Sequence, residues 1–166
     1  MNPSKTGLSF LWLSAVAFIA DLATKYLVVT RFALYESIDI LPFFNLTYVR
    51  NPGAAFSFLA NHSGWQKIFF IVLAILISAM LVYFLFKNNA AQKLQNAAYA
   101  LIIGGALANA ADRAYHGFVV DFLDFYWQDW HYPVFNVADI AICVGAGLLA
   151  LDAIKNGDKK KSEKKA

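Results

Sequence analysis

The chain has 166 residues, of which 60% are hydrophobic and 15% charged, and its mean hydropathy is +0.51. Ordinary soluble domains are about 45–50% apolar and about 25% charged, so the apolar surplus is too large for one soluble core and points to an integral membrane protein in a single domain. One cysteine excludes an internal disulfide, and the net charge of +3 is weighted toward a lysine-rich end.

Four apolar stretches, near 8–29, 65–86, 94–111 and 134–153, are long enough to cross a hydrocarbon core of about 20 residues. The first continues past Asp21 and Lys25 and reads as a retained helix rather than a cleaved signal peptide. The first connection, 30–64, is not disordered in composition. Ile38, Ile40, Leu41, Phe43, Phe44, Leu46, Tyr48 and Val49 form a β-like aromatic run, Asn51-Pro52-Gly53 marks a turn, and 54–59 resumes an apolar segment. The third stretch is the least apolar, and its Gly104-Gly105 pair and alanines predict close helix packing. The connection 112–133 carries Tyr126, Trp127, Trp130 and Tyr132, which with Trp65 suit an interfacial aromatic belt. Cys143, in the fourth stretch, reads as a small buried hydrophobe. The tail 155–166 holds six lysines directly after an apolar helix, so it reads as a cytoplasmic anchor rather than a nucleic-acid arm.

Orientation follows from the basic residues. Lys5, Lys87, Lys93 and the tail lysines share one side, which predicts cytoplasmic termini and outward-facing loops 30–64 and 112–133. Polar residues then converge at one depth near the outer interface. Asp21 and Lys25 come from the first helix, Asn109, Asp112 and Arg113 from the third, Asn136 and Asp139 from the fourth, and Asp121 from the loop before it. Ionisable groups in spans cost roughly 2.5–3.5 kcal/mol on insertion scales, so each needs a reason. Asp21 and Lys25, four apart on a helix, read as a mutually paired support. Asp112 and Arg113, being adjacent, each look to another segment. Asp124 and Asp129 read as solvated loop residues. Asp139 needs a partner, and Asp121 is the natural one. Two carboxylates at low dielectric cannot both ionise easily, the condition an aspartic protease uses, although a purely stabilising pair is the alternative. His62, His116 and His131 are dispersed and Ser57 and Ser63 lack a paired base, so neither a metal centre nor a serine nucleophile is expected. A proton-coupled transporter and a non-catalytic scaffold are the rival classes. The first fits poorly with polar groups near one face and no repeated halves. The second would use the polar groups only to join helices.

Five phrases in order carry a resemblance over nearly the whole chain. They are Asp21-x-x-x-Lys25, Asn51-x-Gly53-Ala54-Ala55-Phe56, Gly104-Gly105-Ala106 leading to Asn109-x-x-Asp112-Arg113, Val119-Val120-Asp121-Phe122, and Phe135-Asn136-x-Ala138-Asp139. The chain resembles the lipoprotein signal peptidases (signal peptidase II), aspartic proteases of the bacterial inner membrane. The resemblance implies four transmembrane helices with a small outward-facing β-cradle on the membrane surface. It implies removal of signal peptides from prolipoproteins, cut just before a diacylglyceryl-modified cysteine, with Asp121 and Asp139 as the catalytic dyad. Asn51, Gly53, Asn109, Arg113 and Asn136 match substrate-pocket positions, and Asp21, Lys25 and Asp112 match supporting ones. It further implies no cofactor, lipid-modified prolipoproteins and membrane phospholipid as partners, no nucleic acid, sensitivity to globomycin-type inhibitors, a monomer, and a flexible lid within 115–127. Ala108 stands where the family commonly has glycine.

Overall fold

The computed structural model describes residues 6–53 and 65–163, with side chains through 156. The apolar segment 54–59, the motif residues Ala54, Ala55 and Phe56, and Ser57, His62 and Ser63 lie outside the described residues, as do the side chains of the lysine tail beyond 156. A short 3-10 turn, Gly7–Phe10, leads into α1 (Leu11–Arg31). Strands β1 (Ser37–Leu41) and β2 (Phe44–Asn51) follow, then α2 (Trp65–Lys87) and α3 (Lys93–His116). Strands β3 (Val119–Trp127) and β4 (Trp130–His131) precede α4 (Val137–Glu163).

Helix α3 packs against all three other helices and is the centre of the bundle. Its composition explains how. Its side chains Ala98, Ala100, Ala108 and Ala110 are small and buried, and its two central glycines face two different neighbours. A Cβ on Gly104 would meet Ser14 O of α1 at 2.6 Å, while one on Gly105 would run into the Ala138 carbonyl of α4. Ser14 Oγ also donates to Ala100 O at 2.6 Å. Small residues thus let backbones approach closely, the packing that apolar surroundings favour.

Three helical segments, Gly7–Arg31, Trp65–Lys87 and Val137–Asn156, are long and apolar enough to cross a membrane. The third expected span, 94–111, the least apolar of the four, falls within α3 and is not among them. Helix α3 has the length, 24 residues, but not the apolar content. The physical reason is its position, because a helix enclosed by three others meets neighbours rather than lipid and can be built from Ala, Gly and Asn. The outward faces of the other three carry exposed Val16, Ile19, Leu27, Ile68, Leu76, Met80 and Ile154. Cys143 corrects an expectation. It is exposed on this outward face of α4, not buried in the bundle.

The strands form one antiparallel sheet in the order β1-β2-β3-β4. The expected strand run of 38–49 is present as the β1–β2 hairpin. The region 112–133, read as a loop with a lid, is different. Its middle is β3, paired to β2 with Asn51 opposite Val119 and Val49 opposite Asp121. Val119, Val120 and Phe122 are buried there, so this segment is an inner strand of the sheet rather than a lid. Its alternate residues satisfy both a core and a polar site, a pattern that reads poorly in a short apolar phrase. Val28, Tyr48, Val120 and Phe122 form the cluster that seats the sheet on the end of α1. At the opposite end of the bundle, Asn96 is buried between Asn88 and Asn89, bonded at 3.1 and 2.9 Å, and ties the α2–α3 turn to the chain's start near Gly7.

Candidate active site

The end of the bundle beneath the sheet gathers polar residues from every expected segment. Lys25 is its hub. Its ammonium has three donors, and three oxygens surround it: Asp21 Oδ2 at 2.7 Å, Asn109 Oδ1 at 2.8 Å and Asp112 Oδ2 at 3.1 Å. The predicted Asp21–Lys25 pair therefore exists and also recruits α3. All three charged residues are buried, a setting that demands complete pairing. Each carboxylate also receives a backbone N–H from the next element. Ala138 N–H donates to Asp21 Oδ1 at 2.7 Å, and Val120 N–H donates to Asp112 Oδ2 at 2.9 Å. The charged trio thus positions the first turn of α4 and the strand that carries Asp121. Gly117, at φ +86°, lets the chain leave α3 and enter β3 within two residues.

The start of α4 is a reciprocal cap. Asn136 Oδ1 accepts from Asp139 N–H at 3.0 Å, and Asp139 Oδ2 accepts from Asn136 N–H at 3.3 Å. This is the capping-box geometry, in which residues three apart satisfy each other's free backbone donors. It leaves the Asn136 Nδ2 group free to reach across. That group donates to Asp121 Oδ1 at 2.6 Å and Asn109 Oδ1 at 3.2 Å. Asp121 and Asp139 are therefore joined through one residue, Asn136, whose side chain holds the first and whose backbone holds the second. Asn109 Nδ2 completes the set on Asp139 Oδ1 at 2.8 Å, and Asn51 Nδ2 on Asp121 Oδ2 at 3.0 Å. Burial pushes the Asp121 carboxyl up to about 6, and the nearby Asp139 charge adds to the rise, while the bonds from Asn51 and Asn136 oppose it. Asp121 is almost fully buried and Asp139 half-buried, so the two carboxylates are unequal.

Gly53 and Arg113 frame this pair. Gly53 sits at φ +96° and donates its N–H to Asn51 Oδ1 at 2.9 Å, which orients the Asn51 amide toward Asp121. A side chain at Gly53 would press on the Phe70 ring of α2 at 2.9 Å. The Arg113 guanidinium lies over that same ring at 4.8 Å and donates to Asn109 O at 3.4 Å. Its Nε is buried with no hydrogen-bond partner among the described residues. A groove of about 520 Å³ opens beside Asp139 and continues along α4 past Cys143 and Val144.

All ten candidate residues belong to this one network. The reading of Asp124 needs correction. It is buried, accepting from Thr47 Oγ1 at 2.9 Å and pairing with His131 Nδ1 at 2.8 Å, because β2 and β4 flank it in the sheet. Asp129 is exposed, as expected of a solvated turn residue. Two roles were not anticipated. The bridging role of Asn136 had a signal in the Asn136-x-x-Asp139 spacing at a helix start. Phe70 had none, because its contact with Gly53 and Arg113 joins distant parts of the chain.

Known proteins match this chain in sequence and in architecture. The family model for signal peptidase (SPase) II matches residues 13–155. A lipoprotein signal peptidase of Histophilus somni (strain 2336) is 76% identical over 163 residues, covering 98% of this chain and 99% of that protein. That of Actinobacillus succinogenes is 77% identical over 159 residues, covering 96% and 98%. A bacterial membrane enzyme solved by the in meso method at 2.3 Å resolution superposes with a TM-score of 0.81 at 32% identity, covering 92% of this chain and 91% of that one. The chain belongs to the signal peptidase II family, a family of peptidases.

Proposed function

We propose that this chain is an aspartic endopeptidase that removes signal peptides from prolipoproteins, cutting just before the diacylglyceryl-modified cysteine, with Asp121 and Asp139 as the dyad. The observation that carries this reading is the shared anchor at Asn136, which holds both carboxylates at one end of an apolar bundle. Asp139, half-buried, activates the water that attacks the scissile carbonyl. Asp121, whose carboxyl burial lifts to about 6, holds the proton, hydrogen-bonds the carbonyl oxygen and then protonates the leaving amine. Asn51, Gly53, Asn109, Arg113 and Asn136 line or shape the substrate pocket, and the Asp21–Lys25–Asp112 trio supports them. No cofactor takes part. The enzyme acts as a monomer and is blocked by globomycin-type inhibitors.

In this reading the chain is one polytopic domain of the bacterial inner membrane, and α3 crosses with the other three helices. Both termini are cytoplasmic, and the sheet rests on the outer surface, where exposed Trp65, Trp127, Trp130 and Tyr132 suit headgroup depth. The lysines of the opposite end and the antiparallel order of the four helices support this orientation. The test is purified protein incubated with a lipid-modified prolipoprotein and resolved on a gel. The wild-type chain is expected to release the signal peptide, and Asp121→Asn and Asp139→Asn are expected to leave the precursor intact while eluting as folded protein. Wild-type turnover by either variant would sink the assignment.

A further inference from the structure

The end of the bundle far from the dyad holds a second opening. A groove of about 690 Å³ lies where α3 begins and the apolar part of α4 ends, lined by Gln92, Lys93 and Leu94 on one side and by Asp152, Lys155 and Asn156 on the other. Along α4 the rise from Asp139 to Asp152 is about 20 Å, so groove and dyad sit toward opposite faces of a hydrocarbon core about 30 Å thick. Lys93 and Lys155 are exposed. The ion pairs of the described residues belong to Lys25 and His131, so both ammonium groups are unpaired among the described residues. Two of the polar groups facing them are held in place. Asn156 Nδ2 donates to Asp152 Oδ2 at 2.9 Å, one turn back on α4, and Gln92 Oε1 accepts from Asn89 N–H at 2.9 Å. Exposed Leu151 and Ile154 adjoin Asp152 and Lys155 on α4, so the open side of the groove continues onto an apolar surface.

We propose that this groove is a headgroup site for a phospholipid whose phosphodiester carries a hydroxylated head, the chemistry of phosphatidylglycerol. The proposal takes the membrane placement from the reading above and no part of the peptidase chemistry. Two ammonium groups against one carboxylate leave one positive charge, which matches the single negative charge of a phosphodiester. The lysines come from different helices, so a phosphate between them links the start of α3 to the end of α4. Each ammonium offers three donors, and charge-assisted bonds to phosphate oxygens are the strong kind. Basic pockets between spanning helices are a recurrent form of headgroup site. Asp152 decides what the phosphate carries. A carboxylate repels phosphate but accepts hydroxyls, and the bond from Asn156 fixes where it does so. The phosphate therefore sits at the lysines and the hydroxyls at Asp152. A zwitterionic head would bring its own ammonium beside two lysines and leave the net charge of the groove unbalanced. The apolar surface at Leu151 and Ile154 favours a lipid over a soluble phosphodiester, because acyl chains can lie against it.

The test counts lipid retained by the purified full chain in detergent micelles, by native mass spectrometry over a concentration series. The probes are phosphatidylglycerol, phosphatidylmethanol and phosphatidylethanolamine with the same acyl chains. Phosphatidylmethanol has the charge of phosphatidylglycerol and none of its hydroxyls. The wild-type chain is expected to hold phosphatidylglycerol about fivefold more tightly than phosphatidylethanolamine, the worth of one net charge at a headgroup. It is expected to hold it about threefold more tightly than phosphatidylmethanol, the worth of a hydrogen bond. Lys93→Gln with Lys155→Gln should lose the first preference, and Lys93→Arg with Lys155→Arg should keep it. Lys159→Gln with Lys160→Gln, the same change of charge placed on the tail, should also keep it. Asp152→Ala should erase the preference over phosphatidylmethanol. Equal retention of all three lipids by the wild-type chain, or an unchanged preference in the groove variant, overturns the proposal. Equal loss in the groove and tail variants overturns it too, by assigning the effect to diffuse tail charge. An Asp152→Ala chain that still prefers phosphatidylglycerol overturns the choice of a hydroxylated head. Displacement of the lipid by an equal concentration of glycerophosphoglycerol overturns the choice of a lipid. Every variant is also checked for elution as folded protein and for cleavage of lipidated precursor, which the groove variants should retain in detergent. Lipid retention is read without substrate. A wild-type chain that does not cleave therefore counts against the proposed function alone, and a cleaving chain without lipid preference counts against the groove alone.

Discussion

Replacing Asp121 by Asn should remove activity and raise stability at once, and the size of the gain can be worked from the site. Burial lifts the Asp121 carboxyl from 3.8 to about 6. At ~1.36 kcal/mol per pH unit, the charged form costs the fold about 3 kcal/mol. The sign follows from linkage. The folded state holds this proton more tightly than the unfolded chain does. The penalty is therefore fully present above about pH 6 and is lost as pH falls through about 6 toward 3.8. Asparagine is neutral at every pH and avoids it. It cannot accept equally well from both Asn51 and Asn136, and one weakened bond returns about 1 kcal/mol. The net expectation is a gain of about 2 kcal/mol at pH 8 that shrinks to nothing or reverses by pH 4. Tryptophan fluorescence during thermal unfolding in detergent reads this directly. At about 2–4 °C per kcal/mol for a chain of this size, the variant should melt roughly 4–8 °C higher at pH 8. A variant that melts lower at pH 8, or a difference that does not change between pH 8 and pH 4, would refute the reasoning.

Three further outcomes follow from the same geometry. Asn51→Ala removes a hydrogen bond that favours the charged Asp121, so the Asp121 carboxyl should rise further and the alkaline limb of the pH–activity profile should move to higher pH. An unmoved limb would mean that Asn51 acts only on substrate. Lys25→Met strands the buried Asp21 and Asp112 carboxylates together, a loss of about 3–5 kcal/mol, so folded yield by size-exclusion chromatography should collapse at neutral pH and recover partly in acid. Gly105→Ala drives a methyl against the Ala138 backbone, which costs about 1–3 kcal/mol by overpacking. Because Ala138 adjoins Asp139, kcat should fall by about tenfold or more even where thermal unfolding shows the variant folded.

The residues of the site were legible as a set because three helices of known direction place their ionisable groups at one end. Asp21 and Lys25 were readable as a pair from the helical period alone, and the glycine pair of α3 from its small neighbours. Asp124 was misread because its burial depends on Thr47 and His131, which reach it only through the sheet. The same pairing turned Val119–Trp127 from an expected loop and lid into an inner strand. Cys143 was misread because an apolar run does not say which of its faces meets the bundle.

By itself, the sequence determined what local chemistry controls. Apolar runs of sufficient length, the helical spacing of Asp21 and Lys25, and the Asn136-x-x-Asp139 spacing of a helix cap are properties of neighbouring residues. Only the tertiary structure decided which groups touch. Lys25 Nζ meets Asp112 and Asn109 across two helices, and Asn136 joins Asp121 to Asp139 across a strand and a helix. These contacts lie at separations the hydrophobic period does not encode. They are set by how closely the glycines of α3 let α1 and α4 approach, and that distance exists only once the bundle has packed.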